Sequence, residues 1–351
     1  MKITLVSYHY APEITPRAFR ATSIYETLVS KGFEVELIIP PCTKTGVESE
    51  RSSSVFRSLL RKLVEKVLPG GKDLKYFSYF ISKLKNKETD LLISIGLPFS
   101  VHLAVAVARC MFNLKAEKVI FDYGDPYSQN PIGNYCFYAS SIEKWALNYC
   151  DYILTPVENS IKSFESIAPS NCKIRVIPQG FKLNGNALSV YKKNTVPTFC
   201  YAGILYKGIR EPNSFIEHLS ELKEEFNFIV FTDTGCSENL SILKQFPKKM
   251  RGRIQVKPLI SRNECLKELS KMDFLVNFAN EGGLQQPSKL VDYTLSKRPF
   301  ITIRNRQDNF SEFDQFFGRN YSSYVPMDIS KFDQNKVVDQ ILSLVREDVV
   351  F

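Results

Sequence analysis

Short apolar segments with strand character alternate with amphipathic helical segments along almost the whole chain of 351 residues. Leu91–Ile95 is one such apolar segment, and the helical pattern of Ser100–Phe112 follows it directly. Apolar strands separated by helices form parallel sheets with both faces covered. A composition of 44% hydrophobic and 24% charged residues is that of a globular protein and excludes collagen and low-complexity chains. The sequence therefore predicts an α/β protein.

This alternation breaks once, in the stretch Gln179–Pro197, which is rich in Gly, Asn and Lys. At about 100–200 residues per domain, the chain accommodates two domains, one on each side of the break. Open parallel sheets bind ligands outside the carboxyl ends of their strands, so two such sheets facing each other would enclose a cleft. We expect a Rossmann-like domain over residues 1–180, a linker over 181–197, a second Rossmann-like domain over 198–325, and a C-terminal helix over 326–351 that could cross back to the first domain.

The positive charge of the chain is concentrated in one segment. Ten basic and two acidic residues lie between Arg51 and Lys87, so residues 51–87 carry +8 of the net charge of +9. Apolar residues recur there at helical spacing, and an aromatic and basic stretch follows. A basic amphipathic helix with aromatic residues is typical of segments that lie on a membrane surface. We therefore expect residues 51–87 to bind an anionic membrane surface; a packed helix with a solvated charged face is the open alternative, and no recognition motif points to nucleic acid.

Other site types find little support in the sequence. The eight cysteines form no C-x-x-C pair and the three histidines lie far apart, so we expect reduced thiols and no metal site. The N-terminal apolar run is too short for a signal peptide. Residues 91–108 carry no formal charge, but Gly96, Pro98 and His102 interrupt them. We therefore predict no transmembrane helix.

Two loops in the first half carry polar side chains where strands should end. The first runs from Ser7 to Glu13 into a helix, and helix N-termini attract anions. The second, Asp122–Tyr127, places two acidic residues and a glycine after a strand. Either loop could instead be a purely structural turn.

The second half contains two segments suited to phosphate groups. Gly203 follows an apolar strand and lets a ligand approach the backbone, and Lys207 or Arg210 could then neutralise a diphosphate. Further on, Pro287-Ser288-Lys289 begins a helix after a Gly-Gly loop, and the free N–H groups of such a helix attract anions. Asp292 falls one turn after Ser288, so it could accept hydrogen bonds from a ribose.

Four segments, in this order, resemble the motifs of GT-B glycosyltransferases, and in particular those of the retaining, sucrose-synthase-like family 4. They are Y-x-P-E at 10–13 with Arg20 and KGFEV at 31–35, KIRVIPQG at 173–180, YAG at 201–203 through Arg210, and PSKLVDY at 287–293 with Arg298-Pro299. The sequence departs from the family at four points. Leu284 stands where the family's first acid is common, unless Glu281 substitutes from the loop; the second acid is the shorter Asp292; and Thr15-Pro16 replaces the usual glycines. The histidine that is common in the family's catalytic region is also not evident after the predicted strand Lys118–Tyr123.

The resemblance implies a GT-B fold of two Rossmann-like domains with parallel sheets facing across a cleft. It implies transfer of a sugar, with retention, from a nucleotide-diphosphate sugar (UDP- or GDP-linked) to an acceptor hydroxyl, with no metal or other cofactor. If the reaction inverts instead, Asp125 is the candidate base. The assigned residues are, for catalysis, Asp125, Arg210 and Lys289; for the donor, Gly203, Lys207, Arg210, Glu281, Gln286, Ser288, Lys289 and Asp292; and for the acceptor, Tyr10, Glu13, Arg17, Asp122 and Tyr127.

The basic segment bears on the acceptor and on localisation. It favours a lipid-linked saccharide of bacterial surface polysaccharide biosynthesis, used by a cytoplasmic protein at the inner face of the cell membrane. Two alternatives stay open: a sugar-nucleotide epimerase of GT-B shape, and a catalytically inactive nucleotide-sugar-binding subunit. A nicotinamide dehydrogenase is disfavoured because no G-x-G-x-x-G follows the first strand.

Overall fold

The computed structural model of the protein contains two parallel α/β units. It describes residues 1–13, 15–41, 69, 74, 76–129, 136–183, 188–206, 210–235, 239, 242, 250, 252–279, 289–306 and 309–346. One unit comprises Met1–Phe181 and Lys331–Phe351, and the other comprises Lys182–Ser330. The chain therefore leaves the first unit once and returns to it at its C-terminal end.

In its described part, the first unit has six strands in one parallel sheet, in the order β2-β1-β3-β4-β5-β6. They are β1 (Lys2–Ser7), β2 (Glu34–Ile38), β3 (Glu88–Ile95), β4 (Lys115–Asp122), β5 (Tyr152–Thr155) and β6 (Lys173–Val176). Since β1 has β2 on one side and β3 on the other, the strand order reverses between β1 and β3. Open α/β sheets bind ligands at such a switch point, outside the carboxyl ends of the strands.

The second sheet has the same plan. Its described strands are all parallel and run in the order β11-β10-β7-β8-β9, so the order reverses between β7 and β10. They are β7 (Thr198–Ala202), β8 (Asn227–Thr232), β9 (Ile254–Pro258), β10 (Phe274–Phe278) and β11 (Phe300–Ile303). The α/β class with two parallel sheets, predicted from the alternation of strands and helices, is confirmed.

Helices cover both faces of the sheets, as the apolar strands require. The helices are α1 (Pro16–Ser30), α2 (Phe77–Leu84), α3 (Ser100–Met111), α4 (Ala139–Leu147), α5 (Ile161–Glu165), α6 (Asn213–Glu221), α7 (Arg262–Leu269), α8 (Lys289–Leu295), α9 (Ser311–Phe317) and α10 (Gln334–Arg346). In the first unit α1 and α10 pack on one face, where Ile24, Leu28 and Ile341 are buried together. Residues of α2, α3, α4 and α5 pack on the opposite face.

Thr15 and Pro16, which replace the glycines of the resembled family, form the start of α1. The Thr15 hydroxyl accepts a hydrogen bond from the Ala18 N–H at 3.1 Å, and Pro16 occupies the first helical position. Both residue types suit these positions, because the side-chain oxygen satisfies a free N–H and proline has no N–H to satisfy. The departure thus produces a well-capped helix directly after the first loop.

The basic segment 51–87 lies largely outside the described residues, and its described part is α2 with its flanks. Phe80 and Leu84 of α2 are fully buried against the first core, whereas Lys83 and Lys85 are exposed. Lys87 forms an ion pair of 2.7 Å with Glu36. Among the described residues, no helix has both the length and the apolar character that crossing a membrane requires.

Candidate functional site

The loops that follow β1, β3 and β4 leave the first sheet side by side. Ser7 is in register with Ile95, and Ile95 is in register with Asp122, so the three strands end at the same level. The segments that come next begin at Tyr8, Gly96 and Tyr123. The sheet therefore brings together the two loops that the sequence analysis singled out in the first half, at the β1/β3 switch point and next to it.

Asp122, at the end of β4, binds two arginines of α1. Its Oδ1 accepts a hydrogen bond from Arg17 Nη1 at 3.1 Å, and its Oδ2 accepts two from Arg20, from Nε at 2.9 Å and from Nη2 at 2.7 Å. Only 2% of the Asp122 side chain and 5% of the Arg20 side chain are exposed. Arg20 also donates to the backbone carbonyls of Ile177 and Pro178, at the end of β6. Asp122 therefore holds α1 and the loop after β6 on the sheet edge.

Arg17 is the more accessible of these two arginines. Burial lowers the pKa of its guanidinium, while the charges of Asp122 and Asp125 raise it. A Cβ at Gly124 would lie 1.7 Å from Arg17 Nη2, so a side chain at this position would displace the guanidinium from where it lies. Arg17, predicted to bind the acceptor, thus lies beside Gly124 and near the half-buried Asp125, the base predicted for an inverting reaction.

Glu143 of α4, which was not among the predicted site residues, holds the loop that carries Asp125. The fully buried Glu143 carboxylate accepts hydrogen bonds from the backbone N–H groups of Tyr127 and Ser128, both at 2.7 Å. Burial raises the pKa of Glu143, and these hydrogen bonds oppose the rise. The Tyr127 ring stacks on Phe99 at 4.5 Å. Contacts to the backbone and to the Tyr127 side chain therefore both hold the loop after β4 in place.

The loop after β1 contains a histidine–carboxylate pair. His9 Nδ1 lies 2.6 Å from Glu13 Oε2, and the Ser7 hydroxyl donates to the His9 carbonyl at 2.7 Å. Tyr10 packs edge-to-face on Tyr25 of α1, with 5.9 Å between ring centroids. Tyr10 and Glu13 were predicted site residues and His9 was not, because the four-residue spacing of His9 and Glu13 in a loop carries no signal on its own.

In the second unit, Lys289 and Gly203 meet at the β7/β10 switch point. Gly203 follows β7 with a φ of +151°, and a Cβ there would lie 3.0 Å from the Tyr201 hydroxyl and 3.7 Å from Lys289 Cδ. The Lys289 ammonium nitrogen lies 4.3 Å from the centroid of the Tyr201 ring. Tyr293 of α8 accepts from the Ala202 N–H at 2.9 Å and donates to the Val276 carbonyl at 3.0 Å. It thereby anchors α8 to the end of β7 and the middle of β10.

The Lys289 ammonium group is buried and has no hydrogen-bond partner among the described residues. Burial lowers the pKa of Lys289 well below its ordinary value, and the positive charge of Arg210 lowers it further. Arg210 Nη1 donates to the Ile204 carbonyl at 2.8 Å, which holds its guanidinium against the loop after β7. Two cations, Lys289 and Arg210, therefore lie close together here.

Asp292 is engaged by Arg262, the first residue of α7. Arg262 Nε donates to Asp292 Oδ1 at 2.8 Å, and Arg262 Nη2 lies 2.7 Å from the same oxygen. Burial raises the pKa of Asp292, while the Arg262 charge lowers it. Both contacts of Arg262 are to Oδ1, so this pair leaves Asp292 Oδ2 unengaged. Four predicted donor residues, Lys207, Glu281, Gln286 and Ser288, lie outside the described residues.

Solved structures similar to this protein are glycosyltransferases of the GT-B fold. The lipopolysaccharide outer core galactosyltransferase WaaB shares 13% identity and a TM-score of 0.61, over 99% of this chain and 100% of that one. Sucrose-phosphate synthase from Thermosynechococcus elongatus shares 10% identity and a TM-score of 0.65, over 99% and 98%. The Anabaena protein HepE, solved with UDP, shares 11% identity and a TM-score of 0.58, over 99% and 100%; its complex with UDP-glucose matches equally well, at 0.58.

No model of a protein family matches the sequence, and no curated protein matches it significantly. Together with its two parallel sheets, the full-length structural similarity shows that the chain has the GT-B fold. The resemblance drawn from the four sequence motifs is therefore confirmed for the fold. Membership of family 4 and a retaining mechanism stay predictions.

Proposed function

We propose that the protein is a glycosyltransferase that moves a sugar from a nucleotide-diphosphate sugar to an acceptor hydroxyl. The observation that carries this proposal is the buried, unpartnered ammonium group of Lys289 beside Arg210 and Gly203. A buried cation without a partner is unfavourable unless an anion binds to it. A diphosphate brings the negative charge that the Lys289 ammonium group lacks, and UDP and UDP-glucose are bound by the similar protein HepE.

The same pair suits the chemistry of sugar transfer. When the bond between the anomeric carbon and the diphosphate breaks, negative charge builds up on the leaving group. Fixed cations in a site with little water stabilise that charge strongly. In this proposal Lys289 and Arg210 supply the positive charge, and Asp292 binds the ribose with the oxygen that Arg262 does not engage. The reaction is metal-independent and retaining, so an oxygen of the leaving diphosphate takes the acceptor proton; were it inverting, Asp125 would be the base.

The donor half of the proposal is tested with nucleotide sugars. Ligand binding raises the melting temperature by mass action, so a thermal-shift screen with UDP-, GDP-, ADP- and dTDP-glucose identifies the donor. Arg210→Ala and Lys289→Ala should each reduce turnover strongly while the fold is retained. Lys267→Ala, which removes an exposed lysine of α7, is the matched control. Turnover near the wild-type rate in either donor-site variant would overturn the assignment.

Product analysis separates transfer from the alternative activities. A glycosyltransferase forms a glycoside only when an acceptor is present. An epimerase would convert the sugar nucleotide without one. A binding subunit would do neither, even over long incubation.

We further propose that the acceptor is lipid-linked, and that residues 51–87 bring the protein to an anionic membrane surface. The +8 charge of this segment supports the proposal, as do the exposed side chains of Lys83 and Lys85. Each Lys or Arg near an anionic surface contributes about 1 kcal/mol to binding. Co-sedimentation should therefore rise with the phosphatidylglycerol content of the vesicles. It should fall when Lys62, Lys66, Lys72 and Lys75 are replaced by Gln, and binding that ignores both changes would contradict the proposal.

A further inference from the structure

The His9–Glu13 pair occupies a position where an open α/β sheet binds ligands. The pair lies in the loop after β1, and β1 borders the switch point of the first sheet. The loop is locally constrained: the Ser7 hydroxyl holds the His9 carbonyl, and the Glu13 N–H donates to the Tyr10 carbonyl at 3.1 Å. The histidine side chain is therefore presented from a fixed backbone.

The carboxylate determines which imidazole nitrogen can meet a ligand. A carboxylate only accepts hydrogen bonds, so Glu13, at 2.6 Å from Nδ1, fixes the proton of the neutral imidazole on Nδ1. Nε2 is then left with a lone pair and acts as an acceptor. Among the residues that the structure describes, nothing donates a hydrogen bond to Nε2.

Both side chains are partly open to solvent, with 26% of His9 and 23% of Glu13 exposed. Tyr8 packs edge-to-face on the imidazole, with 5.0 Å between the ring centroids, so the ring plane is supported from one side. An oriented acceptor nitrogen, accessible at the switch point of a sheet, is what a sugar hydroxyl requires. A hydroxyl group donates one hydrogen bond, and a fixed acceptor discriminates in favour of ligands that carry it.

We propose that His9 binds the acceptor, with Nε2 accepting a hydrogen bond from a hydroxyl group of the acceptor sugar, and that Glu13 is a positioning residue that acts through His9. This inference rests on the proposed function, because it assigns the first unit to the acceptor. It changes the role of Glu13, which the sequence analysis placed in direct contact with the acceptor. It also makes His9 a determinant of which acceptor sugar is used.

Two isosteric variants separate binding from a merely structural role. In His9→Asn the side-chain amide ends near the position of Nδ1, so contact with Glu13 is retained and the group at Nε2 is lost. In His9→Gln the amide reaches the position of Nε2. The control is His218→Asn, since His218 also pairs with a carboxylate in the second unit, through Nε2 at 2.9 Å from Asp314 Oδ1.

The probes are glucosyl nucleotides as donors and octyl glycosides as acceptors. We expect His9→Asn to lower kcat/KM for the acceptor about tenfold, the effect of one lost hydrogen bond. The rate of donor hydrolysis without acceptor and the KM for the donor should stay at the wild-type values. His9→Gln should retain most of the activity, Glu13→Gln should show a smaller loss confined to the acceptor, and His218→Asn should match the wild type.

Monodeoxy octyl glycosides identify the hydroxyl group. For one of them the wild type should lose about tenfold in kcat/KM, and His9→Asn should lose nothing further, because the bond is already absent. Full activity of His9→Asn would overturn the proposal. So would a result in which, for every deoxy analogue, the loss in kcat/KM from the missing hydroxyl and the loss from His9→Asn multiply. A parallel fall in donor hydrolysis or in melting temperature would also overturn it, since a structural role would then explain the effect.

The outcome for the wild type distinguishes this inference from the function on which it rests. Transfer that is normal in all His9 variants refutes the role of His9 and leaves the glycosyltransferase intact. No transfer by the wild type from UDP-, GDP-, ADP- or dTDP-glucose to any octyl glycoside refutes both.

Discussion

The ammonium nitrogen of Lys289 lies 4.3 Å from the centroid of the Tyr201 ring and has no hydrogen-bond partner among the described residues. The aromatic face compensates only part of the lost hydration of a buried cation. Arg210 adds a second positive charge close by, and its repulsion contributes to the lowered pKa of Lys289. The free protein therefore carries a local electrostatic cost that a bound diphosphate would relieve. Such costs are characteristic of functional sites, where stability and activity compete.

The first prediction concerns this competition. Lys289→Met keeps a long apolar side chain on Tyr201 and removes the buried charge, so it should stabilise the free protein by about 1 kcal/mol. The same change should abolish detectable binding of UDP or of the preferred nucleotide. Urea unfolding and isothermal titration calorimetry measure the two effects. Lys267→Met is the control and should change neither; a destabilised Lys289→Met variant would show that Lys289 has a partner in the free state.

A second prediction follows from the direction of the Lys289 pKa shift. Because the pKa is lower in the folded protein, the unfolded state binds more protons between the folded value and the unfolded value of about 10.4. Within this window the contribution of Lys289 to stability rises with pH. The free energy of unfolding of the wild type, minus that of Lys289→Met, should therefore increase from pH 7 to pH 10. A difference that is flat or falls with pH would contradict the lowered pKa.

A third prediction concerns the buried charges at the edge of the first sheet. Asp122→Asn leaves Arg20 buried without a counter-charge, and breaking a buried pair in this way costs roughly 3–5 kcal/mol. Denaturant unfolding should show this loss. Asp339→Asn breaks the exposed pair of Asp339 with Lys31 and should cost less than about 1 kcal/mol. Equal effects of the two substitutions would mean that Asp122 does not hold α1 on the sheet.

A fourth prediction concerns the loop that carries Asp125. Glu143→Gln replaces one accepting oxygen with an amide that cannot accept, so one of the two buried N–H groups loses its partner, at a cost of about 1–3 kcal/mol. Amide hydrogen exchange at Tyr127 and Ser128 should become faster. Glu165→Gln, a change at an exposed glutamate of α5, should leave the exchange of both amides unchanged. Unaltered exchange in Glu143→Gln would show that the loop is held by other contacts.

Features that depend on neighbouring residues in the chain could be predicted from the sequence. The alternation of strands and helices predicted two parallel α/β sheets, because the periodicity of an apolar pattern reports the local backbone conformation. Gly203, Arg210 and Lys289 were predicted from their places in the loop after a strand or at the start of a helix. In the structure Gly203 and Arg210 both lie close to Lys289.

Pairings across long stretches of sequence could not be predicted in this way. Arg20 and Asp122 are 102 residues apart, and Arg262 and Asp292 are 30 residues apart. Glu143 was missed because nothing in α4 indicates that its carboxylate lies beneath the loop after β4. His9 was missed because only the folded loop brings its Nδ1 to Glu13.

The sequence by itself determined the fold class, the motifs at the strand ends and the residue types that can bind a diphosphate, all of which are local properties of the chain. Only the tertiary structure decided which charges are paired and which are not. That decision depends on strand order and register, which place Ser7, Ile95 and Asp122 at one level and α8 against β7. Asp122 is thereby paired with two arginines inside the fold, whereas the Lys289 ammonium group has no hydrogen-bond partner among the described residues. Burial and partners belong to the fold and not to the residue type.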